Sequence, residues 1–363
     1  MWILAARGRT KTASQCLAAA VIAAGLLHGA AATKGPLAAP QASTARVVEW
    51  LKQAVRAAAH VSYRATEALT IRGTGIMHRH KVKVVHRAPD DTRREYLDEK
   101  GRTELTVVDD GHSHWQYSPR RRVIIFSASV RPDQELWQMR HLNRLLTNYI
   151  VSEAGEVTIE GRKARVVAIS PRSGHHGPSK RLSVDVQTGL VLESELTSSD
   201  GKTRLASTLS GLRFDKAIPS GEFAPPRNAR RQTVIYDHVA VLPLSALARH
   251  WKRPLTVPTY LPHGYSLESA RLLRRSSRAF VHLRYFDGLN TLSLFEEPSR
   301  SRGPTAQRRK NDDLVHGAVA TWQFNPPFRS LTWREKGVKL TLVADLPQEE
   351  LLRIARRAGR RSR

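Results

Sequence analysis

Cysteine is all but missing from this chain of 363 residues. Cys16 is the only one, and it sits at the head of an apolar N-terminal stretch. A form exported without that stretch has no thiol, which excludes disulfides, cysteine metal sites and a thiol nucleophile. Acidic residues are scarce too: 32 Asp and Glu stand against 59 Lys and Arg, 45 of them Arg, for a formal net charge of +27. Past residue 32 no run is apolar enough to span a membrane. A glycine-rich phosphate loop, a G-x-S-x-G elbow and an H-E-x-x-H helix are also lacking, so no catalytic residue, resident metal or cofactor is predicted. Zinc-finger spacing, an RNA-binding aromatic signature and a helix-turn-helix are equally missing, so nucleic acid is not an expected partner.

The N-terminus carries what the rest lacks. Arg7, Arg9 and Lys11 precede the apolar run 16–32, where Ala30, Ala31 and Ala32 offer small residues for cleavage. The pattern predicts a signal peptide over 1–32, a linker over 33–43, and a periplasmic or otherwise extracytoplasmic protein. An uncleaved anchor is the competing reading, because about 17 apolar residues are only just enough to span. The excess positive charge reads either as a solvated arginine-rich surface or as attraction to something anionic, such as a membrane surface or lipid headgroups. No oligomeric state is predicted.

The length suggests two domains. Val47, Leu51, Val55 and Ala58 recur at helical spacing behind Ser43 and Thr44, either of which can cap a helix running to about His60. Strand-like runs follow at 61–71, 76–87, 93–97, 103–108, 115–117 and 123–126. Pro132 opens a second helix with Leu136, Trp137, Met139, Leu142, Leu145, Leu146 and Tyr149 as its apolar set. Further strand-like runs cover 156–170, 181–187, 190–196 and 205–214. A helix, a meander, an interrupting helix and more meander predict an α+β domain with a large antiparallel sheet over 44–224. Residues 225–254 read as a linker and 255–358 as a smaller α+β domain. Its last helix starts at Pro347 and runs into a basic tail at 359–363, either a solvated helix end or a contact for an anionic bilayer.

In the second domain Val281, Leu283 and Tyr285 alternate with His282, Arg284 and Phe286, and Leu292, Leu294 and Glu296 resume after Asp287-Gly288. Asp-Gly between alternating runs predicts a tight hairpin with both turn residues at positive φ. On strand 76–86 Ile76, His78, His80, Val82, Val84 and His86 share one parity, while Arg79, Lys81 and Lys83 fall on the other and are predicted to face solvent. The three histidines then sit on a concave face among apolar groups. They read as a metal site, a pH-responsive or headgroup-binding pocket, or hydrogen-bonded histidines at a wet sheet edge. Glu67 either pairs with one of them or marks a bend. Trp137, Leu145 and Tyr149 read as core, or as the lining of a cavity for acyl chains if their helix covers an open sheet. His112-Ser-His114 and Gly174-His-His-Gly177 read as exposed polar loops.

Val257-Pro-Thr-Tyr-Leu-Pro-His-Gly-Tyr265, Leu283-Arg-Tyr-Phe-Asp-Gly-Leu289 and Gly337-Val-Lys-Leu-Thr-Leu-Val343 with Leu346-Pro347 together resemble the C-terminal domain of the RseB/MucB family. Met77-His-Arg-His80 with Arg93-Arg-Glu95, and the hairpin Ser183-Val-Asp-Val-Gln-Thr-Gly-Leu-Val-Leu192, resemble its N-terminal half. Where that hairpin tends to read Leu-Pro in the family, Leu190 is followed by Val191. The resemblance implies a first domain like the lipoprotein carrier LolA, an open half-barrel sheet closed by helices, and a smaller partner-binding domain. It implies a non-enzymatic regulator that binds the periplasmic segment of a membrane anti-sigma factor and shields it from proteolysis until a lipid-type signal loosens the hold. The lipid or acylated ligand is then expected against Ile76, His78, His80, Val82, Val84, Trp137, Leu145 and Tyr149. The protein partner is expected at Arg284, Tyr285, Asp287 and Gly288. A lipid or lipoprotein carrier is the alternative, and it needs only the first domain.

Overall fold

The computed structural model describes residues 42–73, 75–128, 134–233, 243–275, 278–299 and 313–361. The expected signal peptide, most of the linker behind it and the last two arginine-flanking residues lie outside them. Helix α1 (Ala42–His60) starts slightly before the expected caps and buries Val47, Trp50, Leu51, Ala54 and Val55, one stripe of an amphipathic helix. Strands β1 (Tyr63–Gly73), β2 (Ile76–Arg87), β3 (Asp91–Leu97), β4 (Thr103–Asp109), β5 (Ser113–Ser118) and β6 (Val123–Ala128) form one antiparallel meander. Helix α2 (Gln134–Asn148) interrupts it. A second meander holds β7 (Tyr149–Ile159), β8 (Arg162–Pro171), β9 (Ser179–Asp185), β10 (Val191–Thr197) and β11 (Arg204–Phe214). Pairing of β1 with β11 fuses the two meanders, and β12 (Arg230–Thr233) adds in parallel to β6. The result is one twelve-stranded sheet in the order β12-β6-β5-β4-β3-β2-β1-β11-β10-β9-β8-β7. Its end strands do not pair with each other, so the sheet stays open.

Two boundaries differ from the sequence reading. The run 156–170 is two strands, because Glu160 and Gly161 both take left-handed φ of 46° and 77° and turn the chain back in two residues. Tyr149 is the first residue of β7 rather than the last of the helix.

The second unit comprises α3 (Leu244–Trp251), β13 (Leu255–Pro258), β14 (Ser266–Arg275), β15 (Arg278–Phe286), β16 (Thr291–Pro298), β17 (Leu314–Val315), β18 (Ala318–Val319), β19 (Thr321–Asn325), β20 (Phe328–Glu335), β21 (Val338–Ala344), α4 (Gln348–Arg356) and β22 (Ala358–Arg361). Its main sheet runs β14-β15-β16-β21-β20-β19. Leu283, Leu292, Leu294, Leu331, Trp333 and Leu340 from that sheet pack with Leu247 and Trp251 of α3 and with Leu351 and Ile354 of α4. Helix α3 therefore belongs to this core although it lies in the stretch read as linker, while β12 at the start of that stretch belongs to the first sheet. The last helix stops at Arg356. The chain then turns into β22, whose pairing with β13 gives residues 358–361 a strand conformation in place of the expected helical end.

The opening hairpin of this domain keeps its alternation: Val281, Leu283, Tyr285, Leu292, Leu294 and Glu296 are all buried. Its turn is different. The loop spans Asp287 to Asn290, with only Gly288 at positive φ. Asp287 Oδ1 accepts the backbone N–H of Leu289 at 2.8 Å and of Asn290 at 2.5 Å, an Asx turn in place of the two-residue turn. Among the described residues no helix is long and apolar enough to cross a membrane.

Leu247 discriminates between linker and core. Truncation of a fully buried leucine costs about 2–5 kcal/mol, whereas an exposed linker position costs less than about 0.5 kcal/mol. Leu247→Ala is expected in the first range by denaturant unfolding of the second domain.

Candidate functional site

One face of the large sheet is covered by the helices. Val47, Trp50, Leu51 and Val55 of α1 and Leu142 and Leu145 of α2 pack on Val151, Val167, Ile169, Leu182 and Val184 of β7, β8 and β9. The register carries the same face across β1 to β2, β3 and β4, where Val82, Val84, Tyr96 and Val107 form a further apolar cluster. On β2 the expected parity holds: Ile76, His78 and His80 are half-buried, and Val82, Val84 and His86 are buried. Burial, then the neighbouring His78, holds His80 below its ordinary pKa, and burial does the same to His86. The His86 ring sits 3.1 Å from Thr92 Oγ1 and tilts against Tyr63. Among the described residues no three His, Cys, Asp or Glu side chains gather in a way that could hold a metal.

Glu67 is bound by an arginine and a serine from strands to either side of β1. It is fully buried on β1, opposite Val82, and accepts from Arg94 Nη1 at 2.5 Å and Ser207 Oγ at 2.5 Å. A carboxylate this deep requires a cation and further donors, and β3 and β11 supply them from either side. Lys180 on β9 lies opposite Ile169 on the helix-covered face, and burial pulls its ammonium down to about 7. Neither residue's partnerships have a local sequence signature.

A second constellation joins the two domains. His141, Arg144, Leu145 and Asn148 recur at helical spacing on the last turns of α2, and all of them meet the second domain. His141 pairs with Glu268 of β14, which also holds Arg284 of β15. Arg144 reaches the Phe286 carbonyl at 3.4 Å. Asn148 Nδ2 donates to the carbonyls of Asp287 at 2.6 Å and Gly264 at 3.1 Å. Just beyond the helix, Tyr149 donates its hydroxyl to Asp287 Oδ2 at 2.8 Å, and burial drives the phenol pKa far above its usual range.

His175 completes this seam. Its Nε2 lies 2.9 Å from Asp287 Oδ2 and its Nδ1 lies 2.8 Å from the His263 carbonyl. A carbonyl only accepts, so Nδ1 carries a proton. Nε2 then either donates to the carboxylate or accepts from a carboxylic acid. Both arrangements lock the ring between the domains, and both side chains are fully buried. The Gly174–Gly177 loop, expected to be an exposed tip, is therefore folded into the seam at His175. Glycine makes the close approach possible: a Cβ on Gly177 would stand 2.2 Å from the Tyr149 hydroxyl, and one on Gly288 would stand 2.3 Å from the Leu145 backbone nitrogen. On the far side, the β10–β11 turn reaches the second domain through Ser199, which donates from N and Oγ to Asp345, and through Asp200, which pairs with Arg329 at 2.5 Å.

The expected site residues thus fall into two groups. Ile76, His78, His80, Val82 and Val84 lie together on the face of the sheet that carries the helices. Leu145 is in the helix-sheet core, and Tyr149 belongs to the seam. Trp137 is on α2, with its side chain outside the described residues. Of the residues expected to meet a partner, Asp287 and Gly288 are buried in the seam, Tyr285 is in the second core, and Arg284 is held by Glu268. His175, Asn148 and His141 were not anticipated; the α2 spacing was the available signal for two of them.

The profile of the MucB/RseB N-terminal domain matches residues 46–227. The chain belongs to the MucB/RseB family. The sigma factor AlgU regulatory protein MucB of Pseudomonas aeruginosa is 26% identical over 332 residues, 88% of this chain and 92% of that protein. The solved complex of Pseudomonas aeruginosa MucA and MucB has a chain that aligns with a TM-score of 0.57 at 20% identity, over 88% of this chain and 100% of its own. A crystal structure of MucB with MucA(peri) aligns with a TM-score of 0.55 at 20% identity, over 87% of this chain and 100% of its own. The MucB/RseB likeness therefore spans both domains, and the first domain holds the large open, almost wholly antiparallel sheet that was expected of it.

Two outcomes follow from the seam. Gly288→Ala puts a methyl group into the α2 backbone at φ 111°, so it is expected to lower stability by about 2 kcal/mol or more and to speed hydrogen exchange in the last turns of α2. Burial pushes the Asp345 carboxyl up from 3.8 to about 6. The folded chain then keeps this proton up to about pH 6 while the unfolded chain releases it near its ordinary value. Stability therefore rises as pH falls from about 7 toward about 4, by roughly 3 kcal/mol at most. Thermal unfolding across that range is expected to show wild type gaining on Asp345→Asn, and parallel curves would refute the assignment.

Proposed function

We propose that this protein is a non-enzymatic extracytoplasmic regulator of an envelope-stress sigma factor. It binds the periplasmic segment of a membrane anti-sigma factor and protects that segment from proteolysis until a lipid-type ligand occupies the concave face. Family membership and the MucB relatives support the class of partner, since MucB of Pseudomonas aeruginosa is a sigma factor regulatory protein and two solved structures pair MucB with MucA. The observation that carries the coupling is the position of α2. Its apolar side covers the sheet through Leu142 and Leu145, and its last turns are bonded to the second domain through His141 and Asn148. An acyl chain that displaces α2 from the sheet has to disturb those bonds as well. The expected ligand contacts are Ile76, His78, His80, Val82 and Val84, with α2 as the cover.

The test is a pull-down of the chain from Thr33 onward with the ectodomain of a membrane anti-sigma factor from the same organism. Retention is expected, together with slower cleavage of that ectodomain by its site-one protease, and both are expected to weaken in Asp287→Asn, which loosens the seam without ligand. Absence of binding by the wild-type chain would leave the carrier reading. Lipids copurifying with the chain, identified by mass spectrometry, would then define the cargo.

A further inference from the structure

The side of β2 away from the helices has no place in the function proposed above. Met77, Arg79, Lys81 and Lys83 alternate along it and all four are exposed, with Met77 49% accessible. Same-face residues on a strand repeat every 6.8 Å or so, which puts three cations on a line of about 14 Å. Arg72, also exposed, faces Met77 across the β1–β2 pair. Among the described residues none of Arg72, Arg79, Lys81 or Lys83 is in an ion pair. The nearest acid in register, Glu95 opposite Lys83, is taken by Arg93 at 2.5 Å.

The side chains beside this row are small and uncharged. Thr70, Ala68 and Thr66 of β1 stand opposite Arg79, Lys81 and Lys83, and Ala206, Thr208 and Ser210 of β11 stand beyond them. Small side chains leave the long cations free to extend from the surface. Arg64, farther along the same face, is instead bound to Glu222 and Asp215. The uncompensated charge therefore lies over residues 79–83, with the exposed thioether of Met77 next to it on the side of the β1–β2 tip.

We propose that this face of β2 docks the protein on an anionic phospholipid bilayer. A row of cations outside any ion pair, flanked by small uncharged side chains, is complementary in charge to an anionic lipid surface, and it lacks the larger neighbours that would fix the side chains of an acidic peptide. Docking in this manner goes beyond the regulatory function and does not depend on it. It would hold the protein at the membrane in which an anti-sigma partner resides, with the concave face and the second domain left accessible.

The experiment is cosedimentation of the chain from Thr33 onward, which contains every described residue and omits the apolar run 16–32, with phosphatidylglycerol-containing vesicles and with pure phosphatidylcholine vesicles. Binding to the anionic vesicles alone is expected, weakening as ionic strength rises. The variant Arg79→Gln/Lys81→Gln/Lys83→Gln is expected to bind about ten-fold more weakly or worse. Arg249→Gln/Lys252→Gln/Arg253→Gln removes equal charge from exposed positions on the second domain and is expected to retain binding. Equal loss in both variants would overturn the proposal in favour of net charge alone. Failure of the wild-type chain to bind anionic vesicles would overturn it as well. So would a β2 variant that keeps vesicle binding but loses the anti-sigma ectodomain, which would make the strip a protein contact.

Discussion

A buried carboxyl group with hydrogen-bond partners on every side cannot be shifted without leaving several of them unsatisfied. Asp287 is in that position. Tyr149 and His175 meet one of its oxygens, and the N–H groups of Leu289 and Asn290 meet the other. Two of these partners come from the first domain and two from the turn of the second. The same residue therefore shapes a local turn and ties two cores together. Each buried polar group left unpaired costs about 1–3 kcal/mol, so the network is held or lost largely as a unit. The glycines around it fit this view. Gly177 and Gly288 occupy places where any Cβ would intrude on the seam, so close approach of the two domains is built into the chain at those positions.

What the sequence disclosed is what depends on period. The alternation along β2 and along the β15–β16 hairpin assigned the buried side of each strand, because a two-residue repeat is a local property. The helical stripe of α1 was equally plain. What depends on partners remote in the chain was not legible. Glu67 finds Arg94 27 residues away and Ser207 140 residues away, and nothing near Glu67 signals either. His175 lies between two glycines in a polar stretch, which reads as a loop tip, yet it meets Asp287 112 residues on. The Asp-Gly pair was a correct turn signal with the wrong geometry, since the Asp side chain serves the backbone instead of taking positive φ itself. The Glu160-Gly161 turn was available in the sequence and was hidden by an unbroken run of strand-forming residues.

Arginine usage has a structural side as well as a compositional one. Arg64, Arg87, Arg94, Arg162 and Arg329 each pair with a carboxylate on another strand, on a turn or in the other domain. A planar guanidinium with several donors suits such partly buried pairing better than an ammonium does. The lysines of β2 do not follow this pattern and lie where no carboxylate meets them. The chain therefore separates cations that organise the fold from cations that face outward. Net charge alone does not distinguish the two.

The same separation bears on how a ligand could act at a distance. A ligand shifts an equilibrium only by the difference in its affinity for the two states. In the proposed function that difference has to come from α2, because α2 is the element shared by the apolar cover and the seam. If α2 moved freely of the second domain, occupancy would change nothing beyond the first sheet. If the seam were rigid beyond the reach of ligand binding, acyl chains would be excluded. A seam built from a few buried hydrogen bonds lies between these limits. Moving a two-state protein from one-sided to oppositely one-sided populations takes about 5.5 kcal/mol of differential binding. Burial of a handful of methylene groups at about 0.8 kcal/mol each reaches that range. Under the proposed function, an acyl chain would bury enough apolar surface to act on this joint, and a small polar solute would not.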